Sequence, residues 1–76
     1  MRGLTDRQRK ILDFLIDFHD DHGFPPTLEE IARRFKMANP SGARDHLVAL
    51  EKKGYIERGR DKYGRARPRA ITVLKG

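Results

Sequence analysis

Three amphipathic stretches followed by a change of period organise this chain. Ile11, Leu15 and Phe18 recur at helical spacing, and Leu12, Phe14 and Ile16 widen that stripe. Asp13, Asp17, Asp20 and Asp21 fall mainly on the opposite side. Thr5 followed three residues later by Gln8 is a capping-box pattern. Gly23 supplies a C-terminal stop and Pro25-Pro26 forbids continuation, so a first helix is predicted over about 5–22. Thr27 with Glu30 repeats the capping box, and Leu28, Ile31, Ala32 and Phe35 carry a second helix over about 27–36. Asn39 suits an N-cap and Pro40 a first helical position. With Ala43, Leu47 and Leu50 on one face and Gly54 as terminator, a third helix is predicted over about 40–53.

Beyond Gly54 the pattern becomes β-rich. Residues 55–58 and 69–74 read as two strands. The polar run 59–68 between them, with Gly59 at its start and Gly64 within it, predicts a hairpin with a long, mobile tip. Two helices joined by a tight turn, preceded by one helix and followed by a hairpin, make a winged helix-turn-helix: a mostly α fold with a small β-hairpin. One domain over 1–76 is expected, with no internal repeat. Ile11, Leu15, Phe18, Leu28, Ile31, Phe35, Leu47, Leu50, Ile56, Ile71 and Val73 are the expected core. Each stabilises by ~1.5–3 kcal/mol when fully buried, enough in gross terms for a marginal small domain.

Composition narrows the chemistry. There is no cysteine, which excludes disulfides and thiolate metal sites and suits a cytoplasmic setting. The charged N-terminal residues and the lack of a long apolar run argue against a signal peptide or membrane anchor. The formal charge of +6 favours a polyanionic partner. Its distribution is more telling. Residues 1–38 carry seven basic and seven acidic side chains, whereas residues 39–76 carry ten and four, so the whole surplus follows Ala38.

That surplus surrounds a third helix whose first turn is polar. Asn39, Ser41, Gly42, Arg44 and Asp45 are candidate base-reading residues. Arg donates two hydrogen bonds to guanine, Asn pairs similarly with adenine, and a carboxylate accepts from the cytosine amino group. Gly42 costs on the order of 1 kcal/mol of helix propensity, which close approach to a base or phosphate would justify. Each also has an ordinary explanation: Asn39 as a cap, Gly42 as a neutral helix-end residue, Arg44 and Asp45 as solvated charges. Arg60, Lys62, Arg65 and Arg67 in the wing, with Arg69 beside them, are candidates for phosphate or minor-groove contact. Thr5, Arg7 and Arg9 at the first helix, and Lys52 and Lys53 at the end of the third, are further backbone candidates.

Several segments together resemble the DNA-binding domain of the LexA family, the bacterial SOS-response repressors. They are Leu4-Thr5-x-Arg7-Gln8, Gly23-Phe24-Pro25-Pro26-Thr27, Glu30-Ile31-Ala32 and His46-Leu47-x-Ala49-Leu50-x-x-Lys53-Gly54-Tyr55-Ile56. The resemblance implies a winged helix that binds a double-stranded operator as a pair, each copy reading a half-site with its third helix. It places base reading on Asn39, Ser41, Gly42, Arg44 and Asp45, where familiar members carry Ser, Asn, Ala, Glu and Glu. Arg44 therefore reverses a charge and Asp45 keeps one. Glycine is common in the family where Lys36 stands. The family's second domain dimerises and cuts itself through a Ser–Lys dyad at an Ala–Gly bond. This sequence has one serine, Ser41, and no Ala–Gly dipeptide, so self-cleavage does not reside in it. It reads either as an excised N-terminal domain or as a stand-alone regulator.

Other functions fit the residues less well. His19 and His22 with Asp20 and Asp21 offer too few convergent ligands for a metal site, and His46 reads as a packing or phosphate-facing residue. No nucleophile–base pair or phosphate loop is present, so neither an enzyme nor a cofactor is expected. A winged helix that docks on protein would expose apolar residues on the third helix in place of this polar turn. RNA binding through the basic hairpin would call for stacking aromatics, and the tip has Tyr63 alone.

Overall fold

A threonine starts each of the first two helices in the computed structural model, which describes residues 3–74 apart from the side chains of Ala66 and Pro68. The outermost residues of the expected 1–76 domain lie outside the described range. Helix α1 spans Asp6–His22. The Thr5 hydroxyl accepts from Gln8 N at 3.1 Å while Gln8 Oε1 accepts from Thr5 N at 3.1 Å, so two otherwise orphaned donors are satisfied. Gly23, at φ 82°, ends it by donating to His19 O at 2.8 Å. Helix α2 spans Leu28–Arg34, and Thr27 and Glu30 repeat the reciprocal cap.

Helix α2 stops two residues short of the expected 36. The Lys36 amide bonds back to Arg33 O and the Met37 amide to Ala32 O at 2.8 Å, the paired closure of a Schellman motif. This closure needs a left-handed residue, and Lys36 supplies it at φ 56°. Helix α3 follows over Pro40–Lys52, capped by Asn39. It closes in the same way: Gly54 at φ 82° bonds to Glu51 O, and Tyr55 to Leu50 O.

Strands β1 (Ile56–Arg60) and β2 (Ala66–Val73) pair antiparallel with Ile56 opposite Val73 and Arg58 opposite Ile71. Both strands reach further toward the tip than expected, and the connecting turn shrinks from 59–68 to 61–65. Asp61 explains the compact turn. Its carboxylate accepts from Tyr63 N at 2.8 Å and Arg65 N at 3.0 Å, while Gly64 at φ 81° turns the chain. The ladder is not regular. Between Arg58 and Arg60, β1 advances two residues while β2 covers five, from Ile71 to Ala66, which marks a bulge around Arg67-Pro68-Arg69.

The core lies where the three helices meet the base of the hairpin. Ile11, Leu12, Leu15, Ile31, Ala43, Leu47, Leu50 and Ile56 are fully buried, with Leu28, Phe35, Ile71 and Val73 packed around them. Phe18 departs from the expected core. The 17-residue α1 outruns the 7-residue α2, so its last turns overhang the packed layer. There the Phe18 ring stacks on His22 at 4.0 Å and meets Phe14 and Phe24 edge-on. No helix among the described residues is long and apolar enough to cross a membrane.

Candidate nucleic-acid interface

Burying Ala43, Leu47 and Leu50 fixes which side of α3 turns outward, and Arg44 and Asp45 stand exposed on it. At its N-terminus the Asn39 Oδ1 accepts from Ser41 N at 3.0 Å and also from the Ser41 hydroxyl. Both lone pairs of that oxygen are therefore engaged, which leaves the Asn39 amide NH2 as the free donor. Two-point recognition of adenine by Asn39 requires it to give up a capping bond. Gly42 has an internal neighbour: a Cβ there would lie 3.3 Å from Met37 Sδ in the preceding turn. The missing side chain of Gly42 thus serves helix–turn packing as well as any approach by a ligand.

Arg44 is not isolated. It shares its electrostatic surroundings with Arg58 and Arg60 of β1. Burial pushes the Arg58 guanidinium below its ordinary pKa, Glu51 opposes that, and Arg60 and then Arg44 add to it. Glu51, on the last turn of α3, accepts from Arg58 N at 3.3 Å and faces Arg60 Nη2 at 3.4 Å. Two guanidinium groups of β1 thus share the Glu51 carboxylate where α3 meets the hairpin, with Arg44 adding positive charge toward Arg58. The arrangement suits an anion, because an incoming phosphate relieves the excess charge. The sequence pattern alone does not single out Arg58. Its strand parity contained the signal: it is two residues from buried Ile56 and opposite Ile71, so its stem follows the inner face.

The other basic candidates divide into free and engaged groups. Tyr63 is 70% exposed at the tip, with Lys62 Nζ 5.3 Å and Arg65 Cζ 5.6 Å from its ring centre. Arg67 is exposed on β2, and Lys52 is exposed on α3. Lys53 instead donates to Gln8 Oε1 at 2.8 Å and Gly3 O at 3.0 Å, tying the end of α3 to the start of α1. The nearby Thr5 hydroxyl caps α1, the exposed Arg7 lies 5.6 Å from the Phe35 ring, and Arg9 faces Asp13 at 3.9 Å.

Arg69 corrects the sequence reading most clearly. The sequence places it among the wing's free cations, yet both its terminal nitrogens are bound to Glu30, at 2.9 and 3.0 Å. Nη1 also donates to Pro25 O at 2.9 Å, and the guanidinium lies 4.6 Å from the Phe24 ring centre. Among the described residues, no group of three or more His, Asp or Glu side chains is placed to hold a metal ion.

A family model described as the LexA DNA binding domain matches residues 1–69. The LexA repressor of Thermotoga petrophila is 53% identical over 75 residues, covering 99% of this chain and 35% of the relative. That of Pseudothermotoga lettingae is 54% identical over 71 residues, 93% of this chain and 32% of the relative. A LexA repressor of Anaeromyxobacter dehalogenans is 48% identical over 58 residues, 76% of this chain. The chain spans about a third of the length of the first two relatives.

Proposed function

The chain belongs to the LexA DNA-binding domain family, and from that premise we propose that it binds double-stranded DNA sequence-specifically and regulates transcription as a repressor. One observation carries the mechanism. Exposed Arg44 of α3 and Arg60 of the wing both act electrostatically on the half-buried Arg58, so helix and wing present adjoining positive charge. Helix α3 enters the major groove, where Arg44 donates to guanine and Asp45 accepts from a cytosine amino group. Asn39 contributes its free amide donor, Ser41 lies at the same turn, and Gly42 lets the backbone come close.

The wing follows the adjacent backbone. Lys62, Arg65 and Arg67 face phosphates or a narrow minor groove, with Tyr63 against a sugar. Arg58 and Arg60 hold a phosphate between wing and helix. Thr5, Arg7, Arg9, Lys52 and the remaining donor of Lys53 contact phosphates at the other end of α3. Two copies occupy the two halves of a pseudo-palindromic site and block a promoter, in the cytoplasm at the nucleoid. Selection of bound duplexes from a random pool tests this reading. A consensus with two related half-sites is the expected result; enrichment of no sequence contradicts it.

A further inference from the structure

The bidentate pair between Arg69 and Glu30 joins the proposed DNA-binding wing to helix α2, 39 residues away in the chain. Glu30 belongs to α2, and its Oε1 already accepts from Thr27 N at 2.8 Å as half of the helix cap. The same carboxylate receives the guanidinium fork from β2 at 2.9 and 3.0 Å. Pro25 O and the Phe24 ring complete the seat. Planar fork-to-fork pairing fixes orientation as well as distance, which a single contact does not.

The position of this seat along the hairpin matters. Arg69 lies in the bulge, immediately before Ala70, which sits against Gly59 so closely that a Cβ on Gly59 would come within 2.7 Å of the Ala70 Cβ. On the core side of that break the sheet is anchored by Ile56, Ile71 and Val73. Beyond it lie Lys62, Arg65 and Arg67 on a two-stranded ribbon, and such ribbons twist strongly and are weakly stable alone. On the β1 side Glu51 of α3 holds the strand by longer contacts, Arg58 N at 3.3 Å and Arg60 Nη2 at 3.4 Å. Arg69 therefore supplies the two-point hold on the β2 side of the break.

We propose that Arg69 is a positioning residue, which aims the wing relative to α2 and so brings the tip cations onto DNA without touching DNA itself. This rests on the DNA-binding reading above. Glu30 is held below the ordinary carboxylate range first by the hydrogen bond from Arg69 and next by that from Thr27 N, so the pair is fully charged at neutral pH.

The test measures the affinity of the chain for a selected duplex across a range of salt, for wild type, Arg69→Gln, Glu30→Gln, Arg65→Ala and the Arg69→Gln/Arg65→Ala double variant. Circular dichroism checks that each is folded. Glu30→Gln keeps an amide oxygen for the α2 cap. Positioning predicts that Glu30→Gln and Arg69→Gln both weaken binding, on the order of tenfold, and that Arg65→Ala loses most of its effect once Arg69 is gone. The salt slope then falls by about 2–3, the wing's whole share, where a lost single phosphate contact lowers it by about 1. Tighter binding by Glu30→Gln, or an undiminished Arg65 effect in the double variant, overturns the inference and makes Arg69 a phosphate contact or a purely structural residue. If Arg65→Ala has no effect in the wild-type background, the DNA-binding wing itself fails, and this inference with it. Should Arg69→Gln not fold, Glu30→Gln alone decides by the sign of its effect.

Discussion

Lys36 holds a backbone conformation, φ 56°, that L-residues with side chains avoid, in the same closing motif where Gly54 sits at φ 82°. The two positions make a natural comparison. Left-handed geometry costs a residue with a Cβ about 1–2 kcal/mol, partly offset in glycine by its freer unfolded chain. Lys36→Gly is therefore expected to raise stability by ~0.5–1 kcal/mol, read as a higher denaturant midpoint at unchanged slope. An unchanged or lower midpoint contradicts the strain assigned to this turn. Gly59 presents the opposite case. An added Cβ meets the Ala70 Cβ at 2.7 Å, a side chain with no freedom to move aside. Gly59→Ala should cost ~1–3 kcal/mol, with hydrogen exchange speeding first in the hairpin amides. Wild-type protection throughout the hairpin would show that the ladder accommodates the added methyl and would contradict the clash. At this scale the sequence was most legible where partners are close. Both threonine caps lie three residues from their partners and were visible as patterns. Arg69 and Glu30 are 39 residues apart, so no local pattern could pair them.

Among elements, the helices followed from apolar spacing and caps, but the wing did not. Gly59, Gly64 and Pro68 are loop signals in any window, and they led to a ten-residue tip. Two facts shorten it, one across the strands and one local: Gly59 permits the close approach of Ala70, and the Asp61 carboxylate organises the turn from within. The period-2 reading also assigned Ile71 and Val73 to the core without extending the parity to Arg58. The link between α2 and β2 has its own pH signature. The folded carboxyl of Glu30 titrates below its ordinary value of 4.5, so the unfolded chain takes up the proton first as pH falls. The pair's contribution to stability is thus complete above about pH 5 and is lost as pH drops through the lowered folded value. Thermal unfolding from pH 7 to pH 3 should show wild type losing more stability below about pH 5 than Arg69→Gln, and equal dependence above it. Parallel curves over the whole range would mean that Arg69 does not hold that carboxylate in its charged form.

For the whole molecule, the decisive arrangement is where charge lies relative to the core. Seven acidic groups balance seven basic ones through residue 38, α3 is itself balanced, and the surplus follows from Lys53 through the hairpin. That asymmetry was readable from the sequence, as was the helix–turn–helix order. The convergence of Arg44, Arg60 and Glu51 on Arg58 was not, because it needs the hairpin to fold back beside α3. If about five phosphates are neutralised, log affinity should fall with log salt at a slope of roughly −4 to −5. A slope near zero would be incompatible with backbone contacts from the wing. The most direct test asks whether α3 reads bases through Arg44. Relative affinities for every single-base variant of the selected duplex, measured for wild type and Arg44→Ala, give the answer. Arg44→Ala is expected to lose ~1–3 kcal/mol of discrimination at one base pair in each half-site and to keep its preferences elsewhere. Identical preference profiles for the two proteins would contradict base reading by this helix as described.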